Sequence, residues 1–175
     1  ILGVDVNGGF AEYVAVPTVN CWRIPAGISL EVAAVMEPCG NAVHTAFAGP
    51  LSGCSIAVTG CGPIGLFAIA VARAAGAAHV FASDVSPFRL ELARAMKADA
   101  VIDVRTENLA ERVAQLTNGR MLDGVLEMSG NPTAVRDGLT ALRMGGRMSM
   151  LGLPTEPFEL DWNRLVIFKG ITLHG

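Results

Sequence analysis

The chain has 175 residues, half of them hydrophobic and only 17% charged, which suits one domain with a sizeable core and room for a piece of a second. A net charge of −3, with no stretch that concentrates Lys and Arg, excludes the electrostatic footprint of a nucleic-acid binder. Aromatics make up only 6%, so Ala, Val, Leu, Ile and Met fill the interior, as in strands buried on both faces of a helix-covered parallel sheet.

Residues 1–30 stand apart from the rest. Gly8-Gly9 marks a turn, and residues 10–16 alternate like a strand before Pro17. Ser29 is placed to cap a helix over 30–36, and Pro38 to open another over 38–47 that stops at Gly49-Pro50. From there the pattern is regular. Strands are expected at 55–59, 79–83, 100–103, 124–127, 146–151 and 171–173. Helices fall between them at 64–75, 87–96, 107–117 and 132–142, with a short one at 162–168. Gly76 closes the first of these, Asn118-Gly119 stops the third, and Pro132 opens the fourth. Short strands alternating with helices of about ten residues read as βαβ units. Right-handed crossovers then give an α/β, doubly wound, six-stranded parallel sheet in the order 3-2-1-4-5-6. The expected division is residues 1–30 as one piece and 31–175 as the sheet domain.

Pro38 to Ala72 contains no Asp, Glu, Lys or Arg, a length that could span a bilayer. Gly49, Pro50, Gly53, Gly60, Gly62, Pro63 and Gly65 punctuate it, so it reads as helix, strand, glycine loop and helix. No basic segment precedes an apolar one at the start. The expectation is a cytoplasmic chain with neither membrane nor nucleic acid as partner. Cys21, Cys39, Cys54 and Cys61 have no metal-binding spacing and read as free thiols.

The segment that carries chemistry is Gly60-Cys61-Gly62-Pro63-Ile64-Gly65, a G-x-G-x-x-G between a strand and a helix. The next strand runs into an acid, Asp84, 19 residues beyond Gly65, which completes the dinucleotide fingerprint. Gly60 permits the tight turn, Gly62 lets the backbone approach a pyrophosphate, and Gly65 allows the helix to pack closely. The helix N-terminus offers unpaired N–H groups to the phosphates, and Pro63 costs little there. Asp84 can accept from both hydroxyls of the adenosine ribose and would repel a 2′-phosphate, which favours NAD over NADP. Capping the following helix is its structural alternative. Arg89 packs over the adenine, pairs with Asp84, or accommodates a 2′-phosphate. At the end of the fifth strand, Leu151-Gly152-Leu153 lies where the nicotinamide half should cross the sheet, or is a plain strand exit. Ser129-Gly130-Asn131 after the fourth strand gives a similar, weaker signal.

These residues also resemble a known family. Gly9 to Val14, Glu37-Pro38-Cys39-Gly40-Asn41-Ala42-Val43-His44-Thr45, the glycine loop, Glu127-Met128-Ser129-Gly130 and Asp161-Trp162 with Phe168-Lys169-Gly170 resemble the zinc-dependent medium-chain dehydrogenases. The Glu37 to Thr45 segment is narrower and is similar to the branch that oxidises the side-chain alcohol of threonine. The resemblance implies a Rossmann domain in which Gly60, Gly62, Pro63, Ile64, Gly65, Asp84, Arg89, Leu151, Gly152 and Leu153 line an NAD site. It implies that Glu37 stands beside the catalytic zinc, as a ligand or as a proton relay, while His44 is structural. It also implies a homotetrameric parent acting on an amino-acid alcohol. The family's Cys and His-Glu zinc ligands and its four-cysteine lobe have no counterpart in these residues, so no zinc is expected here. Residues 1–30 would be a remnant of the catalytic domain. Ile1 and Gly175 then read as cut points of a longer chain, and the piece as one that binds NAD without turnover. A polyol dehydrogenase of the same superfamily is the alternative enzyme. An NAD-sensing regulatory module is the alternative of another class, and a methyltransferase is disfavoured by the third glycine and the six-strand pattern.

Overall fold

The computed structural model describes residues 1–175 and divides them into two compact units, Ile1–Val35 and Met36–Gly175. The division falls five residues beyond the boundary read from sequence, because the short helix α1 (Leu30–Ala34) belongs with the first unit. Ser29 caps α1 as expected, its hydroxyl accepting from the Val32 N–H at 3.4 Å.

The first unit holds α1, a 3₁₀ turn at Thr18–Asn20 and an isolated bridge between Leu2 and Val6. The strand expected over residues 10–16 does not form. An extended segment becomes a strand only when its N–H and C=O groups meet a partner, and none is paired with it in this unit. Phe10, Tyr13 and Trp22 are exposed there.

The second unit begins with α2 (Met36–Ala46) and continues β1 (Ser55–Thr59), α3 (Pro63–Ala74), β2 (His79–Asp84), α4 (Pro87–Ala95) and β3 (Ala100–Asp103). It ends with α5 (Leu109–Leu116), β4 (Leu122–Glu127), α6 (Pro132–Ala141), β5 (Leu142–Met150), a π-helical turn at Asn163–Ile167 and β6 (Thr172–His174). Helix α2 starts ahead of Pro38 because a proline in the first turn lacks only an N–H with no intrahelical partner. Glu37 therefore sits inside that turn.

All six strands pair in parallel, in the order β3-β2-β1-β4-β5-β6. The doubly wound sheet expected from the alternation is the one observed. Alternate residues of β1 point to opposite faces and into separate cores. Ile56 and Val58 pack with Ala68 and Ile69 of α3 and Leu90 of α4. Ala57 packs with Val113 of α5 and Val135 and Leu139 of α6. Each fully buried Val, Ile or Leu here contributes about 1.5–3 kcal/mol. Strand β5 starts directly where α6 ends, and its register against β4 shifts between Leu122 and Gly124. No helix is long and apolar enough to cross a membrane.

Candidate functional site

The strand order reverses between β1 and β4, and a parallel sheet binds its ligand beyond the carboxyl ends at such a switch. A cavity of about 490 Å³ lies there, with Gly60, Gly62, Asp84, Arg89, Ser129 and Asp137 in its walls.

Gly60 and Gly65 take the structural parts that the spacing suggests. Gly60 has φ +89°, which favours glycine, and a Cβ there would also meet the Ser129 side chain at 2.8 Å. A Cβ at Gly65 would overlap the Gly60 carbonyl oxygen, so the first turn of α3 packs directly beneath the loop. A Cβ at Gly62 would meet nothing within 4 Å. That open side faces the cleft, next to the N-terminus of the twelve-residue α3 with Pro63 at its start.

Asp84 ends β2 and is buried, 6% exposed. Its Oδ2 accepts from the Cys61 N–H at 2.7 Å and its Oδ1 from the Ser86 N–H at 2.8 Å. Each oxygen keeps a lone pair for a further donor. The cap of α4 is not Asp84 but Ser86, whose hydroxyl accepts from the Arg89 N–H at 3.5 Å. Arg89 stands 3.8 Å from the Asp84 carboxylate with its own side chain half exposed. At that distance the pair is weak and leaves the guanidinium free to move over the cleft. Cys61 is fully buried, and its thiol donates to the Ser83 carbonyl at 3.6 Å. Burial, with the Asp84 charge beside it, pushes that thiol up to about 12.

Not every residue singled out in the sequence reaches the cavity. Pro63, Ile64 and Gly65 lie beside and beneath the loop rather than in its walls. Leu151, Gly152 and Leu153 stand behind the Gly130 turn, where a Cβ on Gly130 would meet the Leu153 backbone at 2.6 Å. Glu37 is exposed on α2, and its Oε1 accepts from the Asn41 amide at 2.7 Å. Conversely, Val85, Val104, Leu109, Thr133 and Asp137 also stand in the walls with no motif to announce them, beside Met128 of the Glu127 to Gly130 segment. Burial pushes the Asp137 carboxyl up, against the opposing charge of Arg136.

Behind the Ser129 wall lies Glu127, the last residue of β4, wholly inaccessible to solvent. Its Oε1 accepts from the Ser129 N–H at 2.9 Å, the Ser129 hydroxyl, the Gly130 N–H at 3.2 Å and the Thr59 hydroxyl at 3.4 Å. Its main-chain carbonyl accepts from the N–H groups of Leu151 and Gly152 at 2.9 and 3.2 Å. One residue thus gathers the ends of β1, β4 and β5. The sequence signal for it was an acid closing a buried strand, the same signal that marked Asp84.

The family model described as zinc-binding dehydrogenase matches residues 63–175. The chain belongs to the zinc-binding dehydrogenase family. It is 49% identical over all 175 residues to an L-threonine 3-dehydrogenase of Bacillus licheniformis, covering 51% of that protein. Among solved structures, an L-idonate 5-dehydrogenase from Escherichia coli is similar with a TM-score of 0.85 and 32% identity, over 97% of this chain and 48% of that one. An alcohol dehydrogenase from Escherichia coli, solved in complex with NADH, is similar with a TM-score of 0.89 and 28% identity, over 99% of this chain and 51% of that one. The chain spans about half the length of the curated relatives it matches. The family's metal finds no fit in these residues, since no three of the His, Cys, Asp and Glu side chains converge into a group that could hold one.

Proposed function

We propose that the chain is the NAD-binding half of a zinc-dependent dehydrogenase that oxidises L-threonine at its side-chain alcohol. The observation that carries the cofactor part is the buried Asp84 at the end of β2, sharing one cleft with the open side of Gly62 and the N-terminus of α3. Gly60 and Gly62 would take the pyrophosphate, together with the unpaired N–H groups of α3. Asp84 would accept from the ribose hydroxyls through its remaining lone pairs, with Arg89 over the adenine. Pro63 and Ile64 would flank the phosphates, Gly65 would hold the loop in place, and Leu151, Gly152 and Leu153 would border the nicotinamide. The cofactor supplies a two-electron hydride acceptor, and the parent reaction is L-threonine plus NAD⁺ giving 2-amino-3-oxobutyrate, NADH and a proton.

The substrate part rests on identities of 45–50% to L-threonine 3-dehydrogenases along the whole chain. The 32% identity to L-idonate 5-dehydrogenase supports a polyol substrate less. Residues 1–30 are read as a remnant of the catalytic domain, and Glu37 as a group beside the zinc of the parent, ligand or proton relay. The parent is read as a cytoplasmic homotetramer.

Calorimetric titration with NAD and NADP tests the cofactor. Tighter NAD binding supports the reading, and equal or tighter NADP binding defeats it. The same preparation should form no NADH from threonine, and turnover above background would show that the chain holds a complete active site.

A further inference from the structure

We infer that Glu127 makes the cleft distinguish the oxidised from the reduced form of its nicotinamide cofactor. The inference rests on the cofactor reading above and concerns the charge on the ring rather than the identity of the dinucleotide.

Three observations carry it. Glu127 is 0% exposed, yet no Lys, Arg or His forms an ion pair with it. The cation nearest the cleft, Arg89, is directed to Asp84, and the buried Arg147 is directed to Ser149 and to the carbonyls of Ala46 and Pro50. Second, every partner of the Glu127 side chain is a neutral donor: Thr59, Ser129 by hydroxyl and N–H, and Gly130. A donor-only environment of that kind suits a carboxylate, which can only accept. Third, Ser129 and Met128, its neighbours in sequence, line the cavity, so the charge lies one residue behind the wall.

A buried charge is costly unless paired, and hydrogen bonds from neutral groups compensate only part of the cost. The missing positive charge need not come from the protein. Asp84 fixes the adenosine end of the cleft at β2, and the glycine loop fixes the pyrophosphate at β1. A dinucleotide laid across the switch point then places its other half over the carboxyl ends of β4 and β5. Glu127 closes β4. The oxidised nicotinamide ring carries a formal positive charge and the reduced ring carries none. A carboxylate beneath that half attracts the first and is indifferent to the second. Low local dielectric and shielding from salt by the Ser129 wall make the attraction larger than the same separation would give in water.

The test is a set of dissociation constants for NAD⁺, NADH and ADP-ribose, measured by calorimetry on the unaltered chain and on Glu127→Gln. The amide keeps the size and one acceptor oxygen but removes the charge. In the variant, NAD⁺ binding should weaken relative to NADH by roughly fivefold, the size expected of a single partly screened charge pair. Weakening of both forms by the same factor would make Glu127 a brace for the loops and overturn the inference. The unaltered chain gives an independent reading that does not depend on the variant folding: NAD⁺ should bind more tightly than ADP-ribose, which lacks the ring. Equal affinity for those two overturns the inference and leaves the cofactor reading intact. Failure of all three ligands to bind overturns both.

Discussion

The main-chain N–H of Cys61 donates to the Asp84 carboxylate at 2.7 Å. The acid that ends β2 therefore secures the glycine loop as well as lining the cleft, where the proposed ribose contact would fall. Replacing it changes two things at once. Asp84→Ala should narrow the preference for NAD over NADP chiefly by weakening NAD, about tenfold or more, because hydrogen bonds to a charged group are worth about 1.5–3 kcal/mol each. The variant should also lose about 1–3 kcal/mol of stability, since the Cys61 and Ser86 N–H groups are left without an acceptor. Titration of both cofactors with a denaturation curve checks this. NAD affinity that survives while NADP affinity rises would show that the loop holds itself.

Gly62 and Gly65 should fail in opposite ways. At Gly65 an added methyl overlaps the Gly60 carbonyl oxygen, which is backbone and has little room to yield. Gly65→Ala should cost several kcal/mol of stability, about 2–4 by comparison with other overpacked sites. At Gly62 there is open space, so Gly62→Val should leave the melting temperature within a few degrees and weaken both cofactors at least tenfold. Thermal melts with and without NAD separate the two. A Gly62→Val chain that still gains stability from NAD would remove that residue from the pyrophosphate path.

The four thiols should differ in reactivity. Cys61 is buried, and its pushed-up thiol holds almost no thiolate at neutral pH. Cys21 is exposed. Brief alkylation at pH 8 followed by peptide mass spectrometry should label Cys21 first and leave Cys61 unmodified until the chain is unfolded. Early labelling of Cys61 would mean that the glycine loop opens readily.

Two carboxyls should pull the pH profile of stability in opposite directions. Burial raises Asp123, but the Ser55 N–H and the Arg143 guanidinium at 2.8 and 2.7 Å outweigh it and hold the carboxyl below the usual range. Its contribution is complete above the ordinary aspartate value near 4 and is lost as pH falls through the depressed one. Arg143→Met should therefore flatten the acid limb of the unfolding curve. Asp137 is raised by burial, so its ionisation opposes folding, and the cost grows as pH rises from the ordinary aspartate value and is complete above the raised one. Asp137→Asn should gain stability at neutral pH and gain nothing in acid. Identical acid limbs for Arg143→Met and the unaltered chain would contradict the first half of this account.

The sheet was legible because its inner strands β1, β2 and β4 are short runs buried on both faces, each followed by a turn or a helix cap. Ser55–Thr59 is buried at every position, and nothing but a two-sided core explains such a run. The placement of Gly60, Gly62 and Asp84 around one cleft was legible because it depends on backbone shape and on one fixed spacing. Residues 10–16 misled because alternation signals a strand only when a partner exists. The far wall of the cleft was hidden for another reason. Val104 lies in the turn after β3, Leu109 opens α5 and Asp137 is in α6, and they meet only after the sheet is wound. Their positions follow from topology, which no local pattern of residues records.

Arg147 joins β5 to segments about a hundred positions earlier, its guanidinium donating to the Ala46 carbonyl at 3.5 Å and the Pro50 carbonyl at 2.9 Å. In a chain made from its amino end, the carboxyl end of α2 waits for those donors until nearly the whole domain has been synthesised. At about 5–20 residues per second, that interval is several seconds or more. During it the β1–α3–β2 units can assemble from contacts near in sequence, while the link from β5 back to α2 is among the most distant contacts to close. The body of α2 packs on α3 early, but its carboxyl end is tied down by the second-last strand, so a nascent chain stopped short of Arg147 should leave the Ala46–Pro50 segment loose while β1 and β2 are already paired.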